Sequence, residues 1–326
     1  MFNTVIKMDG KVLKISMLLL ALAVLCAIVT FMYLGFPAKK PVAIEERLKL
    51  VTTTSLHDTG LLDVIKPRFE KKYSVPLDII SVGTGIAIQY GERGDADVLL
   101  IHDKNREVKF VNDGHGLERR CVAYNYFNIV GPKDDPAGIK GMNATQAFKT
   151  IFQKGTADPT RIMFVSRGDG SGTYSKEQSL WKAAGYNYST QVNTSTNRWY
   201  LESGSGMGAT LMMTNEKMGY TLTDTSTFTA YKGNLTLVPL VEGTKDLLNV
   251  YVAIAENPKK HPGVNCEMAN KFINFLVSEE GQKLIGSYGM DKYGKALFFP
   301  AEGNCTLIGC SSAECAIPTN ASCAAA

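Results

Sequence analysis

Val165–Tyr174, VSRGDGSGTY, is the stretch from which the rest of the chain is best read. The apolar run Ile162–Val165 before it reads as a short buried strand. Gly168, Gly170 and Gly172 let the backbone turn tightly. From Thr173 the pattern turns helical, with Tyr174, Leu180, Trp181 and Ala184 as apolar positions and Gly185 as its stop. A strand, a glycine turn and a helix N-terminus together suit an anion. First-turn N–H groups have no partner inside the helix, and the helix dipole favours negative charge there. Ser166, Ser171 and Thr173 add hydroxyl donors, and Arg167 adds a fixed charge with a planar fork of donors. An ordinary capped turn has the same local pattern, so on this loop alone both readings stand.

Two upstream junctions repeat the pattern. RLKLV (47–51) is a short strand that runs into Thr52–Ser55, a hydroxyl-rich turn. Asp58 or Thr59 is placed to cap the helix that follows, whose apolar face is Leu61, Leu62, Ile65 and Phe69, and Pro67 is awkward within it. LDIISV (77–82) is a strand ending in Gly83–Thr84–Gly85 and leading to a second helix. DADVLLIHD (95–103) then holds the continuous apolar core of a strand buried in a parallel sheet. The β-α-β-α-β order predicts a doubly wound α/β fold.

Further on, CVAYNYFNIV (121–130) is β-rich and looks like a crossing between lobes. A helix is expected over 143–155. A turn with Gly204, Gly206 and Gly208 precedes another helix, without the downstream acid of a dinucleotide site. Strands are expected at 220–223, 235–241 and 249–255, and an amphipathic helix over 269–285. Trp181, Trp199 and Phe228 read as packing residues, and Met207 as a loop residue that either packs or touches a ligand.

The ends differ from this body. Residues 1–14 carry Lys7, Lys11 and Lys14 and are expected on the cytoplasmic side. Residues 15–36 are apolar over roughly 33 Å, enough for a transmembrane anchor or an unusually long signal segment. Cys26 follows Leu25 rather than a small residue, which disfavours lipidation. Residues 37–47 are a linker. The tail, 301–326, holds Cys305, Cys310, Cys315 and Cys323, for which two disulfides are the simplest use. Sequons at Asn143, Asn187, Asn193, Asn234, Asn304 and Asn320 fit an exported chain. Charge is nearly balanced, 35 basic against 31 acidic residues, with no basic stripe, which argues against nucleic acid. The four histidines are scattered, which argues against a histidine metal site.

TTTSLHDTGLLDVIKPRFEKKY, VGTG, GDADVLLIH, VGPKDDPAGI, FVSRGDGSGT and WYLESGSGMGATL…NEKMGYTLTD occur in that order. Together they resemble the tungstate-binding component of ABC-type oxyanion importers, over about residues 48 to 300. The resemblance implies a type II periplasmic-binding-protein fold, two doubly wound lobes with the ligand in a cleft. One lobe is expected from 48–124 and 225–300, the other from 125–224. It implies tungstate, with molybdate second, as cargo. It implies an ABC-type permease as partner, and a globular part held outside the cell or in the periplasm. Two positions depart from the family loop: Gly170 stands where a second Asp is usual, and Tyr174 where a His is usual. The loop thereby comes to look like that of phosphate-binding proteins.

Tungstate is a proton-free dianion and asks only for donors. Thr53, Thr54, Ser55, Thr84, Ser166, Arg167, Ser171, Gly172 and Thr173 are the expected ligand residues, with no catalytic residue, metal or cofactor. Hydrogen phosphate would want an acceptor, for which Asp169 is the candidate; otherwise Asp169 holds Arg167 or caps the turn. A phosphate- or sulfate-binding protein of the same fold is the alternative. A hydrolase built on Ser55, His57 and Asp58 is a remoter one, since sequence neighbours seldom make a triad.

Overall fold

Leu48, Leu50 and Val51 are fully buried, because the strand that carries them, β1 (Leu48–Thr53), runs between two parallel neighbours. On one side lies β2 (Leu77–Val82), with Leu48 opposite Leu77. On the other lies β3 (Val98–Ile101), with Leu50 opposite Val98. This computed structural model describes residues 10–34, 46–315 and Cys323. The other strands are β4 (Gly116–Gly131), β5 (Phe164–Ser166), β6 (Tyr200–Glu202), β7 (Thr221–Asp224), β8 (Val238–Val241), β9 (Leu248–Glu256) and β10 (Phe299–Pro300). Among the described residues the main sheet has the order β10-β4-β9-β3-β1-β2, and β7 and β8 also pair with β4. β5 and β6 form a separate parallel pair.

The long strand β4 links two regions. Its first part pairs with β9, as in Cys121 opposite Val252, and its last residues pair with β7 and β8, as in Val130 opposite Thr221 and Pro239. The apolar residues group accordingly. Phe69, Phe272, Phe275 and Tyr251 belong to one cluster and Val51, Leu99, Phe110 and Ile254 to another on the first region. Phe148, Phe164, Trp181, Trp199 and Tyr220 pack beside the far half of β4. Met207 and Phe228 pack with Val130, Leu211 and Leu237.

The expected return to the first lobe at 225 comes later. Leu240, Val241 and Leu247 pack with Ile129 and Phe148. The reason is that β8 pairs with the last residues of β4, so the chain does not rejoin β3 and the start of β4 until β9 begins at Leu248. The helix expected over 269–285 is two helices, Cys266–Val277 and Glu279–Ser287, broken at Ser278, whose extended backbone caps the second. The helix Leu61–Tyr73 keeps Pro67 inside it, and Gly60 holds its N-cap position at φ 80°. Thr59 Oγ1 donates to Leu56 O at 2.7 Å and accepts from Leu61 N, the first helical N–H, at 3.3 Å, whereas Asp58 makes no such bond.

The N-terminal unit contains the helix Gly10–Leu34. Among the described residues no helix is long and apolar enough to cross a membrane, so the expected anchor over 15–36 has no support there. Residues 1–9 and 35–45, parts of the expected N-terminus, anchor and linker, lie outside the described residues, as does Asn320.

The tail's cysteines do not pair only among themselves. Cys310 joins Cys121 on β4, Cys323 joins Cys266 at the start of its helix, and Cys305 joins Cys315. The tail is drawn down because Ile308 is buried beside the β9 residues Val252 and Ile254. Arg119 pairs with Glu314, and Arg120 donates to Ala313 O. Among the described residues one Cys/Glu group is tight enough for a metal: Cys121, Cys310 and Glu314. Its thiols are joined to each other.

Candidate functional site

The 166–173 loop leaves the end of β5. Gly168 and Gly170 take φ values of 63° and 70°, a left-handed backbone that side chains resist, and a Cβ on Gly168 would lie 2.8 Å from Glu202 Cβ. Ser171 then caps the helix Gly172–Ala183, its Oγ accepting from Tyr174 N at 3.1 Å. Arg167 is 3% exposed. Its Nε donates to Asp169 Oδ2 at 3.1 Å and its Nη2 to the same oxygen, while its Nη1 has no partner. Asp169 Oδ1 accepts from Ser171 N at 3.2 Å. Asp169 thus both holds the arginine and closes the turn, and its two oxygens are engaged.

The other two junctions reach the same place. β1 runs into a short helix, Thr54–His57, capped by Thr53, whose Oγ1 accepts from Leu56 N. Thr53 Oγ1 lies 3.3 Å from Ser55 Oγ, and Ser55 Oγ lies 3.2 Å from His102 Nε2. Thr54 is half-buried and stands outside these contacts. Thr84 opens the helix Thr84–Glu92 and is fully buried, with its Oγ1 unpartnered. Gly172 closes the group: a Cβ there would lie 2.7 Å from His102 Cε1, 2.9 Å from His102 Nδ1 and 3.1 Å from Thr84 Oγ1. The start of the Gly172–Ala183 helix therefore abuts residues from the ends of β2 and β3.

Among the described residues four buried atoms able to donate lack hydrogen-bond partners around this meeting point, Thr84 Oγ1, His102 Nδ1, Arg167 Nη1 and Thr173 Oγ1, and so do two acceptors beside His102, Asn249 Oδ1 and Asp103 Oδ2. Burial holds the His102 pKa down to about 4, with the positive charge of Arg167 adding to the effect, so the imidazole is neutral at physiological pH. In the tautomer in which Ser55 donates to Nε2, Nδ1 carries the proton and is a donor. Each unsatisfied buried group costs about 1–3 kcal/mol, so such a set is retained where something else supplies the acceptor. What fits is a compact anion with several acceptor oxygens.

Residues 41–280 match the PBP superfamily domain. A curated relative from Peptoclostridium acidaminophilum, named tungstate-binding protein TupA, is 41% identical over 254 residues, 77% of this chain and 84% of its own length. The chain belongs to this family. The solved tungstate ABC transporter structure from Geobacter sulfurreducens is 48% identical, with a TM-score of 0.65 over 75% of this chain and 99% of its own. The tungstate-binding protein TupA of Desulfovibrio alaskensis is 42% identical, with a TM-score of 0.66 over 78% and 98%.

Ser166 is fully buried, but its hydroxyl donates to Glu177 Oε2 at 2.6 Å, so it is committed away from the meeting point. Glu177 Oε1 accepts from Trp181 Nε1 and Tyr200 OH. Burial raises the Glu177 carboxyl to about 7. Met207 is 2% exposed and spent on packing. The Ser55, His57 and Asp58 cluster is not assembled: His57 and Asp58 are exposed, 3.8 Å apart, and Ser55 turns to His102 instead. Among the described residues no acid hydrogen-bonds His102 Nδ1.

Sequence reasoning passed over His102, Glu177, Asn249 and Asp224. Tyr251 lies behind His102, ring centroids 5.0 Å apart, and is held by Asn249, which also donates to Asn125. Asp224 caps the helix Thr225–Tyr231 with both oxygens on Thr227; burial raises its pKa and Arg167 opposes that. A signal existed for His102, a polar residue ending the apolar run DVLLI, and for Glu177, an acid between Tyr174 and Trp181 on the same helix.

Proposed function

We propose that the chain is the solute-binding protein of an ABC-type importer and captures a proton-free tetrahedral dianion, tungstate first and molybdate second. The observation that carries the reading is the set of four buried groups able to donate that have no hydrogen-bond partner among the described residues at one meeting point, with Asp169 already engaged by Arg167 and Ser171 N. Tungstate presents acceptor oxygens on every side and has no proton to place. Hydrogen phosphate would need an acceptor, and Asp169 is occupied by Arg167 and Ser171 N. Charge-assisted hydrogen bonds are worth about 1.5–3 kcal/mol each, so a handful brings binding into the micromolar-to-nanomolar range once desolvation and ordering are subtracted.

In this reading the chain acts as a carrier, which agrees with relatives named as tungstate-binding proteins. Three disulfides suit an exported protein. Leu18, Leu22 and Leu25 are exposed along the helix Gly10–Leu34, and a membrane tether over 15–36 would cover them, with the globular part outside the cell or in the periplasm.

Thermal unfolding with and without added oxyanion tests the reading. Tungstate at about 100 times its Kd should stabilise the protein by about 2.7 kcal/mol. Molybdate should do nearly as well, and phosphate at the same concentration should leave the midpoint unmoved. A midpoint raised by phosphate and not by tungstate would shift the cargo to the alternative.

A further inference from the structure

A cavity of about 260 Å³ opens beside the anion site, sharing His102 and Gly172 with it. It lies between residues that follow β3 and the outer turn of the helix Gly172–Ala183, and Ile308, Gly309 and Cys310 of the disulfide-fastened tail form part of its wall. Four cations line it, Lys104, Arg119, Lys176 and Lys245, against two acids, Asp103 and Glu107. The acids are used locally: Asp103 caps the helix Lys104–Asn112, and Glu107 pairs with Arg119 at 2.8 Å. Burial raises Glu107 to about 7, which weakens its negative charge at neutral pH. Lys104 donates to Gly309 O at 3.0 Å. Lys176 is different. It is half-buried, and among the described residues its ammonium makes no hydrogen bond or close ion pair; it feels only the more distant charge of Asp246. An unpaired, partly desolvated ammonium is costly to keep in a cavity wall. His102, 8% exposed with Nδ1 unpartnered, stands where the cavity meets the anion site.

We propose that this cavity is the collecting port of the anion site, where Lys176, helped by Lys245, gathers small divalent oxyanions from solvent before they reach the inner donors. This rests on the oxyanion-binding reading of the site itself. A cleft of one sign with low-dielectric walls concentrates the oppositely charged ligand and speeds its arrival. Because Lys176 acts at the approach, its effect belongs to the association rate.

Rapid filtration with radiolabelled tungstate tests this on the full chain, comparing wild type, Lys176→Met, Lys245→Met and Lys182→Met at low and high salt. Lys182 is an exposed lysine of the same helix that does not line the cavity. Lys176→Met should slow association roughly three- to ten-fold at low salt. The gap should close at high salt, where the charges are screened. Release should change less than about two-fold, and Lys182→Met should match wild type. Lys245→Met should show a smaller slowing and serves as the test if Lys176→Met does not fold. Association at the wild-type rate, a loss confined to release, or equal slowing in Lys182→Met would overturn the port. Failure of wild type to retain tungstate would overturn the functional reading and the port with it.

Discussion

Arg167 carries the fixed positive charge of the site, and its fork is divided. Nε and Nη2 are held by Asp169, and Nη1 has no hydrogen-bond partner among the described residues. The division predicts that lysine is a poor replacement, because one ammonium cannot grip Asp169 and also present a donor in a fixed direction. Arg167→Ala should weaken tungstate binding by about 2–5 kcal/mol, the range for truncating one side of a buried charged pair. Arg167→Lys should fall between that and wild type. The unliganded melting temperature should change little in Arg167→Lys. Calorimetric titration and melting of both variants check this: wild-type affinity in Arg167→Ala, or a collapse of its melting temperature, would make Arg167 a structural residue. Ser166 shows how residue-level reading fails. In the sequence it is as good a donor as Ser171, and only the position of Glu177 commits it elsewhere.

The helix Gly172–Ala183 is the element that completes the site, because its first turn abuts both His102 and Thr84. Gly172→Ala adds a Cβ 2.7 Å from His102 Cε1, so the helix start must back away from both. Overpacking of this kind costs about 1–3 kcal/mol, which predicts roughly ten- to hundred-fold weaker tungstate binding by titration. Unchanged affinity would mean that the helix start does not bear on the anion. The three strand-turn-helix junctions were legible because each is signalled locally. An apolar run makes the strand, glycine permits the turn, and a hydroxyl caps the helix at Thr53 and Ser171. His102, Glu177 and Asn249 owe their roles to neighbours distant in sequence, and no local pattern announces those. The return crossing was misplaced for the same reason. Leu235 to Val241 reads as a strand of either region, and its pairing with β4 is a tertiary fact. Cys121 and Cys266 likewise look like buried small residues until the tail reaches them.

For the whole molecule, buried acids set the dependence of stability on pH. Glu256 is fully buried with both oxygens lacking hydrogen bonds, and burial together with Asp97 pushes its pKa up to about 9. Its folded pKa lies above the unfolded value, so the stability it contributes is complete below about pH 4.5 and is lost as pH rises toward 9. Glu256→Gln, which cannot ionise, should therefore gain on wild type in melting temperature as pH is raised from 5 to 9; a difference independent of pH would contradict the assignment. The disulfides that bind the tail to β4 and to the helix Cys266–Val277 join segments 189 and 57 residues apart, so they constrain the unfolded chain over long loops. The central claim is that this molecule holds a proton-free oxyanion on donors alone. Calorimetric titration of the intact protein with tungstate, molybdate, sulfate and phosphate tests it most directly. The account predicts one tungstate per chain at sub-micromolar Kd, molybdate close behind, and phosphate at least about a thousand-fold weaker, a gap of roughly 4 kcal/mol. Phosphate binding as tight as tungstate, or no binding of any of the four, would contradict it.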